Sequence, residues 1–170
     1  VYDIKPGDRV VSNGSHSEYV AISKNLVQKV PNDVKNEDAV FTVIGSIALQ
    51  GIRLCNPTYG EKIVVIGLGL VGLITVQLLK ANGCDVIGID YDKNKCDIAK
   101  SYGATIINPA KEDVVQVVNN QTKMIGADAV IIAAATKSND VISQAANISR
   151  KKGRIILVGV VGLDINRADF

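Results

Sequence analysis

Residues 63–72 read IVVIGLGLVG, an apolar β-branched run that passes into three glycines with the spacing G-x-G-x-x-G. The run predicts a buried strand, and the apolar residues after the glycines predict a helix that begins there. In such a turn Gly67 permits the tight bend, Gly69 leaves room for a close ligand, and Gly72 lets the helix pack against the strand. The unpaired N–H groups and the dipole of that helix would attract an anion such as a pyrophosphate.

An acidic residue completes the pattern. Asp90 ends the next predicted strand, about twenty residues beyond the turn, where a carboxylate can accept hydrogen bonds from both hydroxyls of an adenosine ribose. The same carboxylate repels a 2′-phosphate, which favours NAD over NADP. The alternative to cofactor binding is that the glycines only form a tight corner between strand and helix and that Asp90 is a solvated residue at the end of a strand. Strand, turn, helix and acid together favour cofactor binding by Gly67, Leu68, Gly69, Leu70, Val71, Gly72 and Asp90.

The rest of the chain after residue 60 alternates between two patterns. Strands are predicted at 62–66, 85–89, 105–107, 129–133 and 154–158, and helices at 71–82, 93–102, 113–122 and 139–150, with Gly83, Gly103 and Gly153 as helix C-caps. This alternation predicts an α/β fold, a doubly wound parallel (Rossmann) sheet of order 3-2-1-4-5. A sixth strand, usual in this fold, is missing before Phe170, so residues 155–161 would form an unpaired apolar edge. We expect that edge either to form a homodimer or to be covered by the first 35 residues.

The first sixty residues differ in their residue pattern from the rest of the chain. Residues 1–35 are polar and rich in turns, with short apolar pieces at 9–11, 19–22 and 26–30 that predict three antiparallel strands, too few for a core of their own. A helix is predicted to begin at the N-cap Asn36, to be one broken helix or two short ones because of Gly45 and Gly51, and to end at Asn56-Pro57. The predicted division is 1–35, 36–60 for the connecting helices, and 61–170.

Composition excludes several classes of partner. The chain is 47% apolar, with a net charge of +2 and no basic cluster among aromatics, so neither nucleic acid nor an anionic membrane is expected as a partner. The longest apolar stretch, 63–79, contains three glycines and is shorter than the ~20 residues of a membrane span. Three cysteines without a Cys-x-x-Cys predict reduced thiols and a cytoplasmic protein.

Taken in order, the motifs resemble the medium-chain dehydrogenase/reductase family, the relatives of zinc-type alcohol dehydrogenases. The resemblance covers nearly the whole chain and runs through KPGDRV at 5–10, SEYV at 17–20, VPN at 30–32, EDA at 37–39, the glycine turn, Asp90, GAD at 126–128 and GRIILVG at 153–159. It implies that residues 1–35 end a GroES-like catalytic domain and that 61–170 are a truncated NAD-binding domain.

The resemblance also implies roles for residues outside the glycine turn. Val71 would support the nicotinamide ring, Lys95 would assist at the adenosine ribose, and Tyr91 and Pro109 would flank the adenine. Backbone groups on the nicotinamide side would come from Ala134, Ala135, Val158 and Gly159. The implied activity is hydride transfer between NAD(H) and an alcohol/carbonyl pair on a small-molecule substrate. A zinc-free quinone or enoyl reductase and a non-catalytic NAD-binding module remain open, and the catalytic residues are unknown.

Zinc is not expected in this chain. A cysteine ligand of zinc-dependent relatives would fall at Ser46, and a neutral serine is a poor zinc ligand. The cysteine-rich zinc lobe of those relatives would follow Val11, where the chain continues instead with Ser12-Asn13-Gly14. His16 is the only histidine, and a place in a surface turn is expected for it.

Overall fold

The computed structural model describes residues 3–169, and the chain divides into two compact units between Ser46 and Ile47. Its strands are β1 Val10–Ser12, β2 Val27–Lys29, β3 Lys62–Ile66, β4 Asp85–Ile89, β5 Thr105–Ile107, β6 Ala127–Ile132 and β7 Ser149–Leu157. Its α-helices are α1 Asn36–Ala39, α2 Thr42–Cys55, α3 Leu70–Ala81, α4 Lys93–Ser101, α5 Val114–Gln121 and α6 Asp140–Ile148, with short 3-10 turns at Lys24–Leu26 and Arg167–Asp169. No helix among the described residues is long and apolar enough to cross a membrane.

The first unit is built on a two-stranded antiparallel pair, in which Val10 lies opposite Lys29 and Ser12 opposite Val27. The strand predicted at 19–22 is wrong: these residues form no regular element, and Tyr19 is 86% exposed. Its β propensity had no neighbouring strand or core to bury it, and β propensity acts mainly through such burial.

Of the two possibilities that the sequence left open for the helical segment from residue 36, the structure has the second, and α2 ends at Cys55, just before Asn56-Pro57 as predicted. There are two helices, α1 and α2, but the break lies at Val40–Phe41 rather than at Gly45 or Gly51. The N-cap is Lys35, so the prediction of Asn36 as the cap is wrong by one residue. The division between the two units falls inside α2.

The second unit contains a five-stranded sheet of order β5-β4-β3-β6-β7, and every pair in it is parallel. This confirms the predicted order 3-2-1-4-5 and the doubly wound class. Within the described residues the sheet ends at β7, which is paired only with β6. Of the edge predicted at 155–161, residues 155–157 belong to β7, and residues 158–161 lie beyond the strand.

Alternate residues of the central strand β3 enter two separate cores. Ile63 and Val65 pack in a cluster with residues of α2, α3 and α4, whereas Val64 and Ile66 pack in a cluster with residues of α5 and α6. All four side chains are at most 6% exposed. A strand buried on both faces explains why residues 63–66 are continuously apolar rather than alternating.

One predicted helix end was wrong. Gly83 and Gly103 do have positive φ, +79° and +85°, just after α3 and α4. Gly153, however, lies inside β7, because that strand begins at Ser149 directly after α6. The positive φ in this segment, +61°, belongs to Lys152.

Candidate functional site

The glycine turn follows β3 at the carboxyl edge of the sheet. Gly67 has φ +92°, and a Cβ placed on it would lie 2.6 Å from the backbone nitrogen of Ala134 at the end of β6. A Cβ on Gly72 would lie 1.9 Å from the carbonyl oxygen of Gly67. Internal packing therefore requires glycine at both positions, as the motif predicted.

Gly69 is not explained by internal packing. It is the N-cap of α3, with φ −68°, and no atom among the described residues lies within 4 Å of a Cβ built on it. No side chain caps the helix, so the first N–H groups of α3 face the same open space. Open space before an uncapped N-terminus at a residue without a side chain is the arrangement that a pyrophosphate requires.

Asp90 is held at the end of β4 by two backbone N–H groups. Leu68 N–H donates to Oδ2 at 2.8 Å, and Asp92 N–H donates to Oδ1 at 2.9 Å. The ammonium of Lys95 lies 4.0 Å from Oδ2, and the Asp90 side chain is 14% exposed. The carboxylate is therefore oriented, while each oxygen keeps a lone pair for a further donor.

These elements border an open cleft of about 600 Å³ at the carboxyl edge of the sheet. Of the predicted cofactor residues, the cleft brings together Gly67, Gly69, Asp90, Tyr91, Lys95, Pro109, Ala134 and Ala135. The strand ends that form it belong to β3, β4 and β6, so it opens where the strand order reverses. Parallel α/β sheets bind ligands at this place.

The other predicted residues do not line this cleft. Leu68 and Gly72 are buried behind the turn, and Leu70 and Val71 lie in the first turn of α3. The N–H groups of Val158 and Gly159 donate to Ile132 O at 2.9 and 2.8 Å, beside the end of β6. A Cβ on Gly159 would lie 1.9 Å from Ala134 O, so this glycine lets the chain after β7 pass close to the chain after β6.

The remaining residues that line the cleft were not found from the sequence. They are Ile66, Ile89 and Ala133 at the strand ends, Thr136 and Ser138 after β6, and Asp140, Val141 and Gln144 of α6. Polar residues at a helix start are typical of any solvated helix, so their pattern carried no signal. A signal was present in the topology: the helix after the fourth strand of this sheet begins beside the switch point.

A second charged group lies at the amino end of the sheet. Asp128 accepts a hydrogen bond of 2.6 Å from Arg150 Nε and one of 2.8 Å from Lys62 N–H. Burial opposes ionisation, but these hydrogen bonds outweigh it and lower the pKa of Asp128.

Arg154 pairs with Glu61 and donates to the carbonyls of Cys55 and Asn56 at 2.8 and 3.0 Å. Every polar atom named here is paired with another, which indicates a structural role.

The described residues do not fit a zinc ion. No three His, Cys, Asp or Glu side chains within residues 3–169 are grouped so that they could hold a metal. Ser46 donates its hydroxyl to Thr42 O at 2.7 Å, within its own helix, and His16 is exposed.

Comparison with known proteins agrees with this geometry. Residues 71–168 match the family described as zinc-binding dehydrogenase. The D-guloside 3-dehydrogenase of Escherichia coli K12 is 36% identical over 136 residues, which cover 77% of this chain and 39% of that protein. The (R,R)-butanediol dehydrogenase of Bacillus subtilis 168 is 28% identical over 148 residues, covering 86% of this chain and 42% of that protein.

Solved structures share the fold of this chain. The alcohol dehydrogenase of Thermus sp. ATN1 is 30% identical, with a TM-score of 0.76, over 82% of this chain and 41% of that one. An alcohol dehydrogenase of Escherichia coli CFT073, solved in complex with NADH, is 24% identical, with a TM-score of 0.78, over 87% of this chain and 44% of that one. The chain thus spans about two fifths of the length of the curated relatives named here. With its sheet order, glycine turn and Asp90, the chain belongs to the zinc-binding dehydrogenases of the medium-chain dehydrogenase/reductase family and corresponds to their cofactor-binding part.

Proposed function

We propose that this chain is the main cofactor-binding part of an NAD(H)-dependent oxidoreductase of the alcohol dehydrogenase type. The relatives are named as dehydrogenases of alcohols and sugars, and one similar structure was solved with NADH. The nicotinamide would supply the hydride chemistry, exchanging hydride with an alcohol/carbonyl pair on a small-molecule substrate. The chain's own residues would bind and orient the dinucleotide.

The observation that carries this proposal is the open space at Gly69. Nothing inside the protein requires a glycine at this φ, since a Cβ would contact no described atom within 4 Å. A pyrophosphate bound to the first N–H groups of α3 would explain why this position is a glycine. Asp90, fixed by Leu68 N–H at 2.8 Å, would then accept hydrogen bonds from the ribose hydroxyls.

Preference for NAD over NADP is part of the proposal. The Asp90 carboxylate is mostly enclosed, at 14% exposure, so its charge is screened less than that of an exposed carboxylate. A 2′-phosphate on the same ribose would place two more negative charges against it. Lys95, 4.0 Å from Oδ2, offsets only part of that repulsion.

Fluorescence titration with NADH and NADPH tests the proposal, with Gly69→Ala as the diagnostic variant. We expect the wild-type chain to bind NADH more tightly than NADPH, and Gly69→Ala to lose NADH binding at an unchanged melting temperature. Gly72→Ala is the matched control, because its Cβ would meet Gly67 O at 1.9 Å and lower stability directly. NADH binding by a stable Gly69→Ala protein equal to that of wild type would contradict the proposal.

A zinc-free quinone or enoyl reductase is the second candidate activity. It is favoured by Ser46, which stands where zinc-dependent relatives would have a cysteine ligand and whose hydroxyl is used within α2. Metal analysis of the purified protein, with NADH-dependent assays on quinones and ketones, separates the two activities. Binding of NADH without turnover in the full-length protein would instead support a non-catalytic module.

Two further expectations from the sequence continue as proposals. Self-association through the edge of β7 is supported by the position of this strand at the end of the sheet and by Leu157, which is 41% exposed. A monomer by light scattering whose β7 amides are protected from exchange would exclude self-association through this edge.

A cytoplasmic location is supported by three unpaired cysteines.

A further inference from the structure

The wall of the cleft formed by α6 has no role in the proposal above. Asp140, Val141 and Gln144 line the cleft from this helix, facing the same space as Asp90, Tyr91 and Pro109. Asp140 and Gln144 are four residues apart in α6, so both side chains lie on one face of the helix. A carboxylate and an amide thus stand side by side at the cleft.

The position of a bound base follows from the two anchors already described. The pyrophosphate would lie at the N-terminus of α3 and the ribose at Asp90, on the neighbouring strand β4. The base attached to that ribose must then extend away from the turn, into the part of the cleft between Pro109 and α6. Its flat faces would meet apolar groups such as Pro109 and Val141, and its polar edge would meet Asp140 and Gln144.

The chemistry of these two side chains matches one base edge. An ionised carboxylate only accepts hydrogen bonds, whereas the glutamine amide can donate. Asp140 Oδ2 accepts 2.7 Å from Ser138 Oγ, and Asp140 N–H donates to the same hydroxyl at 3.1 Å, which orients the carboxylate. Adenine presents a 6-amino donor next to the N1 acceptor on its Watson–Crick edge, the complement of this pair.

We propose that Asp140 accepts a hydrogen bond from the 6-amino group of the adenine and that Gln144 donates one to N1, so that the cleft selects adenine dinucleotides by their base. The inference rests on the proposed function, because it requires a dinucleotide at the glycine turn. It assigns α6 a specificity role that the glycine turn and Asp90 cannot supply, since those groups would contact only the pyrophosphate and the sugar.

Reduced nicotinamide hypoxanthine dinucleotide is the probe that separates base recognition from binding in general. It differs from NADH only in the base, where a 6-oxo acceptor replaces the amino donor and N1 carries a proton. The 6-oxo acceptor would then face the Asp140 carboxylate, which only accepts, whereas the Gln144 amide can turn its oxygen to the N1 proton. Because sites built for a hydrogen bond reject a mismatched analogue strongly, we expect wild type to bind NADH roughly tenfold more tightly.

Two variants should weaken the preference for NADH over the hypoxanthine dinucleotide. Asp140→Asn supplies an amide that can pair with either base, and Gln144→Glu supplies an acceptor for the N1 proton of hypoxanthine. We expect the preference for NADH to fall to about onefold in Asp140→Asn and to shift towards the hypoxanthine dinucleotide in Gln144→Glu. Asp97→Asn, an exposed carboxylate on α4 that does not line the cleft, is the charge-matched control and should keep the wild-type ratio.

The outcomes separate this inference from the proposed function. Equal affinity of wild type for the two dinucleotides would overturn the inference and leave the NAD site intact. Equal weakening of both by Asp140→Asn would also overturn it, because the carboxylate would then act on a group that the two dinucleotides share. Binding of neither by wild type would overturn the proposed function, and the inference with it.

Discussion

The backbone N–H of Leu68 donates a 2.8 Å hydrogen bond to Oδ2 of Asp90, so the carboxylate that ends β4 also fixes the glycine turn that follows β3. Leu68 is fully buried, with 0% exposure. The glycine turn and Asp90 are therefore structurally coupled, because this one side chain orients the turn and also presents an acceptor to the cleft.

Replacement of Asp90 should separate these two tasks. Asp90→Ala leaves the Leu68 N–H without its acceptor and should lower the free energy of unfolding by about 1–3 kcal/mol. Asp90→Asn keeps an oxygen for that bond, so its loss of stability should be smaller, while the relative affinity for NADPH over NADH rises. Denaturant unfolding and dinucleotide titration measure the two effects. A fully stable Asp90→Ala protein would contradict the structural half of this prediction.

The close packing of α2 on the end of β7 should be visible in a double-mutant cycle. A Cβ on Gly51 would lie 2.6 Å from Cγ2 of Val158, so Gly51→Ala should cost about 1–3 kcal/mol in spite of the better helix propensity of alanine. Val158→Ala removes the clashing methyl group. Gly51→Ala should therefore be much less destabilising in the Val158→Ala background, and additive effects of the two substitutions would show that the contact is not the cause.

Asp128 should make stability depend on pH on the acid side. Its pKa is lowered in the folded protein, where the hydrogen bonds from Lys62 and Arg150 outweigh the effect of burial. A lowered folded pKa stabilises the protein above the unfolded pKa, and this stabilisation is lost as the pH falls through the folded pKa. Asp128→Asn should therefore lower stability at pH 7 by about 1–3 kcal/mol and flatten its decline below about pH 4. Urea titrations across this range provide the measurement.

The three thiols should be unreactive in the folded protein. Cys55, Cys84 and Cys96 are 0%, 2% and 6% exposed. Burial raises the pKa of Cys55 to about 11 and raises the pKa of the other two thiols as well, so little thiolate is present at neutral pH. Ellman's reagent at pH 8 should label none of the three rapidly in native protein and all three in guanidinium chloride. Rapid labelling of the native protein would contradict this prediction, because it would show that the buried thiols become exposed to solvent.

The central sheet could be predicted from the sequence because its strands are buried on both faces. The runs at 62–66, 85–89 and 105–107 coincide with β3, β4 and β5, since a continuous apolar β-branched segment between glycines has few other solutions. The first half of β7 was missed for the opposite reason. Residues 149–153 are polar, and their pairing depends on the irregular register with β6 at Ala127 and Ala129, which no local pattern encodes.

The residues of the candidate site also fall into two groups, those that the sequence predicted and those that it missed. Gly67, Gly69 and Asp90 belong to a motif whose spacing is local, and they do line the cleft. Asp140 and Gln144 reach the cleft only because α6 follows β6 across the switch point, and their own sequence is typical of a solvated helix. Residues placed by topology rather than by a local motif were therefore invisible before the fold was known.

The contact of Arg154 with the end of α2 has a consequence for synthesis of the chain. The carbonyl of Cys55 leaves the ribosome 99 residues before the guanidinium that binds it. Until β7 has emerged, α2 has no partner for those carbonyls, and one side of β6 is unpaired as well. The last strand of the sheet therefore completes folding during translation: a nascent chain whose β7 is still inside the ribosome should remain sensitive to protease, and one whose β7 has emerged should become resistant.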